Sequence, residues 1–221
     1  MDIKGAIFDC DGTLVDSLGF WEVYYEKVGK ELCDGKPFIP SPEDDKAMRT
    51  QNVYFLGKIM HGKYGLLGSE EEIVNWTLDV FEWYYREVVE LKSGVCEFLS
   101  HLKSKGIKMC IASAAERRFI VQVLEKHNVF NYFSGIVSCT EVGAGKDKPD
   151  VFIAAEKFLG TPHESTWIFE DSLLAIETAK KANFKVVGVY DACSFGQERA
   201  KELSDEYIGN GGSFTELIPK I

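Results

Sequence analysis

The chain has 221 residues and a formal net charge of −10. That is long enough for one large domain or for one domain carrying an insertion. The acidic balance argues against a nucleic-acid or anionic-membrane partner, and no apolar run approaches the roughly 20 residues needed to span a bilayer.

The first predicted element is the strand "IKGAIFD" (3–9), which starts too near the N-terminus to leave room for a signal peptide. It runs into Asp9-Cys10-Asp11-Gly12-Thr13. Side chains alternate along a strand, so Asp9 and Asp11 are expected to point the same way. Two like charges that close are costly unless a cation sits between them or one carboxyl keeps its proton.

Residues 16–91 contain no convincing strand. "FWEVYYEKVGKEL" places Trp21, Tyr24, Tyr25, Val28 and Leu32 at helical spacing. The Pro-, Gly- and Asp-rich "CDGKPFIPSPEDD" reads as a loop, and two further helical stretches follow. The last opens on Ser69 and three glutamates, which suit a helix N-terminus. A helical subdomain over 16–91 therefore interrupts the chain after its first strand.

From residue 92 the pattern alternates. Strands are predicted at 107–113, 135–139, 166–171 and 185–191, with a weak one at 206–209. Helices are predicted near 93–105, 116–127, 149–159, 172–182 and 195–203. This alternation predicts an α/β, Rossmann-like doubly wound parallel sheet, formed by 1–15 and 92–221. Cys10, Cys33, Cys96, Cys110, Cys139 and Cys193 show no CxxC pairing or zinc spacing and read as reduced thiols of a cytoplasmic protein.

Ligands of open parallel sheets bind at the carboxyl ends of the strands. Those ends carry Asp9 and Asp11, Ser113 followed by Ala114, and Glu170-Asp171; Lys146 precedes a turn at Pro149. Clustered carboxylates suit a hard cation such as Mg²⁺, which often bridges to phosphate. A lysine and a serine can hold phosphoryl oxygens. A carboxylate can attack phosphorus, and a second can move the proton. Asp11 alone has the spacing to share that work with Asp9. A calcium loop starting at Asp9 fails, because Leu14 stands where glycine is required and Phe20 where glutamate is. A non-enzymatic receiver-type phospho-acceptor domain would leave the helical insertion unexplained.

These strings resemble the motifs of the haloacid dehalogenase superfamily, in its phosphatase and beta-phosphoglucomutase-like branch with a helical cap. "FDCDGTLVDS" is similar to the first motif, "IASAAE" to the second, "GKDKPDVF" to the third and "IFEDSLLAIETAKKANFKVVGV" to the fourth. The resemblance implies a hydrolase of small phosphorylated metabolites with Asp9 as nucleophile and Mg²⁺ ligand. It makes Asp11 the acid/base, with a backbone carbonyl on the metal. Asp171 becomes a metal ligand and Glu170 a direct or outer-shell one, and Ser113, Ala114 and Lys146 become phosphate-binding residues. Lys148, adjacent to Pro149, breaks the Lys-x-x-Pro-Asp spacing that aligns Lys146. The glycine the family often places after the acidic pair is missing. Related sugar-phosphate mutases carry a histidine where this chain has Phe20 and Trp21, which favours a phosphatase over a mutase. His61, His101, His127 and His163 fit no motif.

The cap implied by the resemblance would set specificity. Phe20, Trp21, Tyr24 and Tyr25 either wall the pocket or pack the cap itself. Lys46 and Arg49 are candidates for a second anionic group of the substrate. Gly19 and Gly94 stand where hinges would be expected, and the enzyme is expected to be a monomer.

Overall fold

The computed structural model describes residues 1–50 and 53–221, without the side chains of 46, 49 and 50. The chain divides into two compact units, one formed by Met1–Leu18 with Val89–Ile221 and the other by Gly19–Val88.

The first unit is built on β1 (Gly5–Phe8), β2 (Lys108–Ser113), β3 (Ile136–Ser138), β4 (Thr166–Glu170), β5 (Lys185–Val189) and β6 (Glu206–Ile208). They form one sheet in the order β3-β2-β1-β4-β5-β6, and every pairing is parallel. The chain winds one way from β1 to β3 and the other way from β4 to β6. The point where the direction reverses lies between the tips of β1 and β4, where sheets of this kind bind ligands.

Alternation along the strands sorts the core onto two faces. Ile7, Cys110 and Ile168 are fully buried in a cluster with Val151, Phe152, Ala155, Ala175 and Ile176. On the other set of positions, Phe8 stacks on Phe169 at 4.3 Å, and both rings meet Phe98. A strand covered on both faces must be apolar throughout, which is why β1 reads as an unbroken buried run.

The second unit contains α1 (Phe20–Leu32), α2 (Pro42–Thr50), α3 (Val53–Gly62) and α4 (Glu70–Trp83), followed by a π-helical turn at Tyr84–Val88. Ser69 and Glu72 make the reciprocal bonds of a capping box at the start of α4. The loop expected over 33–45 is shorter than the sequence suggests. Pro42 opens α2, and Ser41 Oγ accepts the Asp44 amide at 3.2 Å, so Pro, Glu and Asp here start a helix.

The remaining helices belong to the first unit: α5 (Val95–Ser104), α6 (Arg117–Lys126), the short α7 (Cys139–Val142), α8 (Asp150–Leu159), α9 (Leu173–Lys181) and α10 (Gln197–Leu203). A 3₁₀ segment at Phe214–Lys220, absent from the sequence expectations, closes the chain. No disulfide joins the six cysteines. Among the described residues no helix is long and apolar enough to cross a membrane.

Candidate active site

β1 ends at Phe8, and its ladder extends one step further through the Asp9 amide, which donates to Phe169 O at 2.9 Å. This puts Asp9 beside the tip of β4. Asp11 does not continue the strand, so simple alternation is not what orients it. The chain turns back immediately: the Leu14 amide donates to Cys10 O at 2.9 Å and the Gly12 amide to Val15 O at 2.9 Å. Gly12 makes the turn possible, because its φ is +76° and a Cβ there would meet Asp171 Oδ2 at 2.7 Å. The turn delivers Thr13, whose hydroxyl donates to Asp171 Oδ1 at 2.9 Å. It also delivers Asp11, whose Oδ1 accepts from Ser17 Oγ at 2.6 Å.

Glu170 is the last residue of β4 and is almost fully buried. Its Oε1 accepts the amides of Asp171 and Ser172, and its Oε2 accepts from Lys146 Nζ at 2.7 Å. Lys146 reaches in from the turn between α7 and α8 and also lies 2.5 Å from Asp9 Oδ1. Lys148 is exposed. Ser113 is buried at the end of β2, beside β1, and its Oγ accepts the Ala115 amide at 3.1 Å. That bond uses a lone pair and leaves the hydroxyl proton available to an incoming oxygen. Ala114 follows, exposed.

Oxygen atoms of Asp9, Glu170 and Asp171 all lie within 4.8 Å of one another. Among the described residues, one ammonium stands against these three carboxylates, that of Lys146. Burial pushes Glu170 upward, with Asp9 and Asp171 adding to the push and Lys146 opposing it. Burial and then Asp9 raise Asp171 in the same way, against the hydroxyls of Ser194 and Thr13. Burial would lower Lys146, but Asp9 and Glu170 outweigh it and hold the ammonium above its ordinary range. With all three carboxylates ionised, the excess is two negative charges in a buried, all-oxygen donor set. A hard divalent cation such as Mg²⁺ fits that excess. The buried thiols do not compete as nucleophiles: burial and then Asp11 and Asp9 raise Cys10, and burial raises Cys139.

Two of the aromatic candidates belong to the core of the helical unit. Phe20 is buried and stacks on Phe81 at 4.1 Å, and Tyr24 is buried with its hydroxyl 2.8 Å from Thr77 Oγ1. Trp21 and Tyr25 are half-buried, and Tyr25 OH donates to Asp45 Oδ1 at 2.6 Å. The side chains of Lys46 and Arg49 lie outside the described residues. Sequence reasoning gave no role to Thr13 or Ser17, although both lie in the first motif string. It missed Ser194 altogether, whose hydroxyl donates to Asp171 Oδ2 at 2.5 Å and which no local pattern marks.

The haloacid dehalogenase-like hydrolase family matches residues 3–183. The chain is similar to the phosphorylated carbohydrates phosphatase of Thermotoga maritima, 26% identical over 202 residues that cover 88% of this chain and 89% of that protein. It is also similar to the phosphoglycolate phosphatase of Shigella boydii serotype 4, 27% identical over 240 aligned residues covering 100% of this chain and 93% of the other. Its fold resembles that of CbbY from Rhodobacter sphaeroides, solved in complex with phosphate, with a TM-score of 0.74 at 20% identity, over 97% of this chain and 96% of that one. With the family matched over most of its length and phosphatases among its relatives, the chain belongs to the haloacid dehalogenase-like hydrolases and is an enzyme of that family.

Proposed function

We propose that the protein is a Mg²⁺-dependent phosphatase of a small phosphomonoester, working through an aspartyl-phosphate on Asp9. The observation that carries this reading is the charge balance at the sheet edge. Among the described residues, these carboxylates, Asp9, Glu170 and Asp171, outnumber the one ammonium bonded there, that of Lys146, which bonds to two of them. The phosphatases among its relatives support the same reaction class.

Asp9, Asp171 and Glu170, with the backbone carbonyl of Asp11, would hold the cation. When bound, it would offset the charge of the carboxylates and the phosphoryl group, allowing two anions to meet. Lys146 and the Ser113 hydroxyl bind phosphoryl oxygens, with the exposed Ala114 backbone beside them. A carboxylate oxygen of Asp9 attacks phosphorus as the bond to the ester oxygen breaks. Asp11 gives its proton to the departing oxygen, and the alcohol leaves. Asp11, now a carboxylate, takes a proton from water, whose oxygen attacks the acyl-phosphate. Inorganic phosphate departs and the Asp9 carboxylate is restored. Ser17, bonded to Asp11 Oδ1, orients this second carboxyl.

Transfer within a sugar phosphate is the competing reaction. The start of α1 supports hydrolysis, since Phe20 there is buried in the packing of the helical unit. The test is phosphate release from para-nitrophenyl phosphate and from a panel of small phosphorylated metabolites, with Mg²⁺ and with EDTA. Metal-dependent release is expected. Absence of release across the panel would overturn the reading, and conversion of a hexose 1-phosphate to its 6-phosphate without release would replace it with the mutase.

A further inference from the structure

Asp171 is held from both sides of its own strand. In the sheet, β4 lies between β1 and β5. From the β1 side Thr13 donates to Oδ1 at 2.9 Å, and from the β5 side Ser194 donates to Oδ2 at 2.5 Å. A carboxylate with one donor on each oxygen cannot rotate about its terminal bond without losing both. Each oxygen still keeps a lone pair for another partner. Thr13 belongs to the first motif, whereas Ser194 lies beyond the residues that the family matches.

The loop bearing Ser194 is itself tied down. The Ser194 amide donates to Asp191 O at 3.2 Å, and the Cys193 amide donates to Asp191 Oδ1 at 2.8 Å. Asp191 is buried, and its other oxygen accepts from Lys92 Nζ at 2.8 Å. The same ammonium donates to Tyr190 O at 2.7 Å. On the far side, Gln197 Nε2 donates to Ser194 O at 3.1 Å, while Gln197 Oε1 accepts from Tyr207 OH in β6 at 2.6 Å. Lys92 is fixed in turn, because its amide donates to Leu14 O at 2.9 Å in the turn that carries Thr13. The two hydroxyls that grip Asp171 therefore sit on segments joined through one lysine.

We propose that Ser194 is a positioning residue for the metal-binding carboxylate of Asp171, and that the Lys92–Asp191 ion pair holds the Ser194 loop in register for that task. This rests on the metal-site reading above. Groups that orient a metal ligand typically change affinity by about 10–100-fold when removed. A Ser194 that only packed the loop would change stability and leave cation affinity alone.

The experiment is Mg²⁺ titration of the full-length protein by calorimetry, with thermal unfolding of the metal-free forms alongside. Ser194→Ala is expected to bind Mg²⁺ about 10-fold or more weakly with little change in metal-free stability, since Ser194 is partly exposed. Ser194→Thr, which keeps the hydroxyl, should return most of the affinity. Lys92→Met should weaken Mg²⁺ binding in the same direction. Wild-type affinity in Ser194→Ala would overturn the proposal while leaving the carboxylate site intact. Wild-type protein that takes up no Mg²⁺ would overturn the metal-site reading, and the positioning role with it.

Discussion

Lys146 Nζ sits 2.5 Å from Asp9 Oδ1, whereas Lys148, two residues along the same turn, is exposed. The turn at 145–148 and the start of α8 at Asp150 send the two side chains to different environments. Lys146→Ala should lower kcat/KM by about 10²–10³, the range seen when one preorganised donor to a developing negative charge is removed. Lys148→Ala should stay within about two-fold, as an exposed charge with no place in the site. Phosphate release measured at saturating Mg²⁺ separates the two, and a reversed ranking would move the phosphate-binding role to Lys148.

The two aspartates of the first motif are predicted to fail differently. Asp9→Asn removes the oxygen nucleophile and should abolish turnover while the protein stays folded. Asp11→Asn keeps the nucleophile but loses proton transfer, a loss of about 10²–10⁴-fold. With a leaving group as good as para-nitrophenolate, which needs little protonation, the Asp11 variant should still accumulate phosphoenzyme. Trapping with acid and detecting the added phosphate by mass spectrometry reads this directly. Ser17→Ala, which removes the Ser17 bond to the Asp11 carboxyl, should give a smaller loss in the same step.

The parallel sheet was legible because a strand buried on both faces has to be apolar, and β1, β2, β4 and β5 each carry such a run next to a helical period. The carboxylates of Asp9, Glu170 and Asp171 were legible for the same reason: they interrupt those runs at the strand ends. Contacts that depend on sheet order were not. Ser194 meets Asp171 only because β5 lies beside β4, and Lys92 meets Asp191 across 99 positions of sequence. Neither pair has a spacing to recognise. The turn after β1 was not legible either: the strand ends at Phe8, and Gly12 with its positive φ reverses the chain just past Asp11, so Asp11 is carried by a turn rather than by a continued strand. Phe20 and Tyr24 have helical spacing whether they line a ligand or a core, and only their burial decides for the core.

Asp44 is expected to give the helical unit an acid-sensitive component of stability. It accepts from Lys63 Nζ at 2.8 Å, Tyr64 OH at 2.6 Å and Ser41 Oγ at 2.7 Å, tying the start of α2 to the end of α3. The Lys63 bond, then those of Tyr64 and Ser41, lower its carboxyl to about 2. An unfolded aspartate titrates near about 3.9. The folded form therefore binds the proton more weakly, so the contribution is complete above the unfolded value and disappears as pH falls through the folded one. Asp44→Asn should unfold at lower urea than wild type at pH 7, with the gap closing between about pH 4.5 and 2. A gap that does not change with pH would mean that the bonds matter without the charge.

The two candidate hinge glycines are predicted to behave oppositely. Gly19 has φ −68° and ψ −1°, which any residue can adopt, and among the described residues a Cβ there would meet only Tyr84 OH, at 3.7 Å. Gly94 opens α5 at φ 76°, and a Cβ there would lie 2.3 Å from Ser213 Oγ and 2.9 Å from the Thr215 amide. The neighbouring Ser93 carbonyl accepts the Phe214 amide at 2.9 Å, so the segment cannot slide away from the chain's C-terminal turn. Gly94→Ala should therefore cost about 1–2 kcal/mol for the left-handed backbone alone, and more for the contact with backbone at Thr215. Gly19→Ala should change stability by less than about 0.5 kcal/mol. Urea denaturation of both variants is the measurement. Equal midpoints would mean that residues 92–95 relax freely around Gly94 and that it serves as the flexible joint its position in the sequence suggests. A large loss at Gly94 alone would make it a fixed anchor between α5 and residues 213–215.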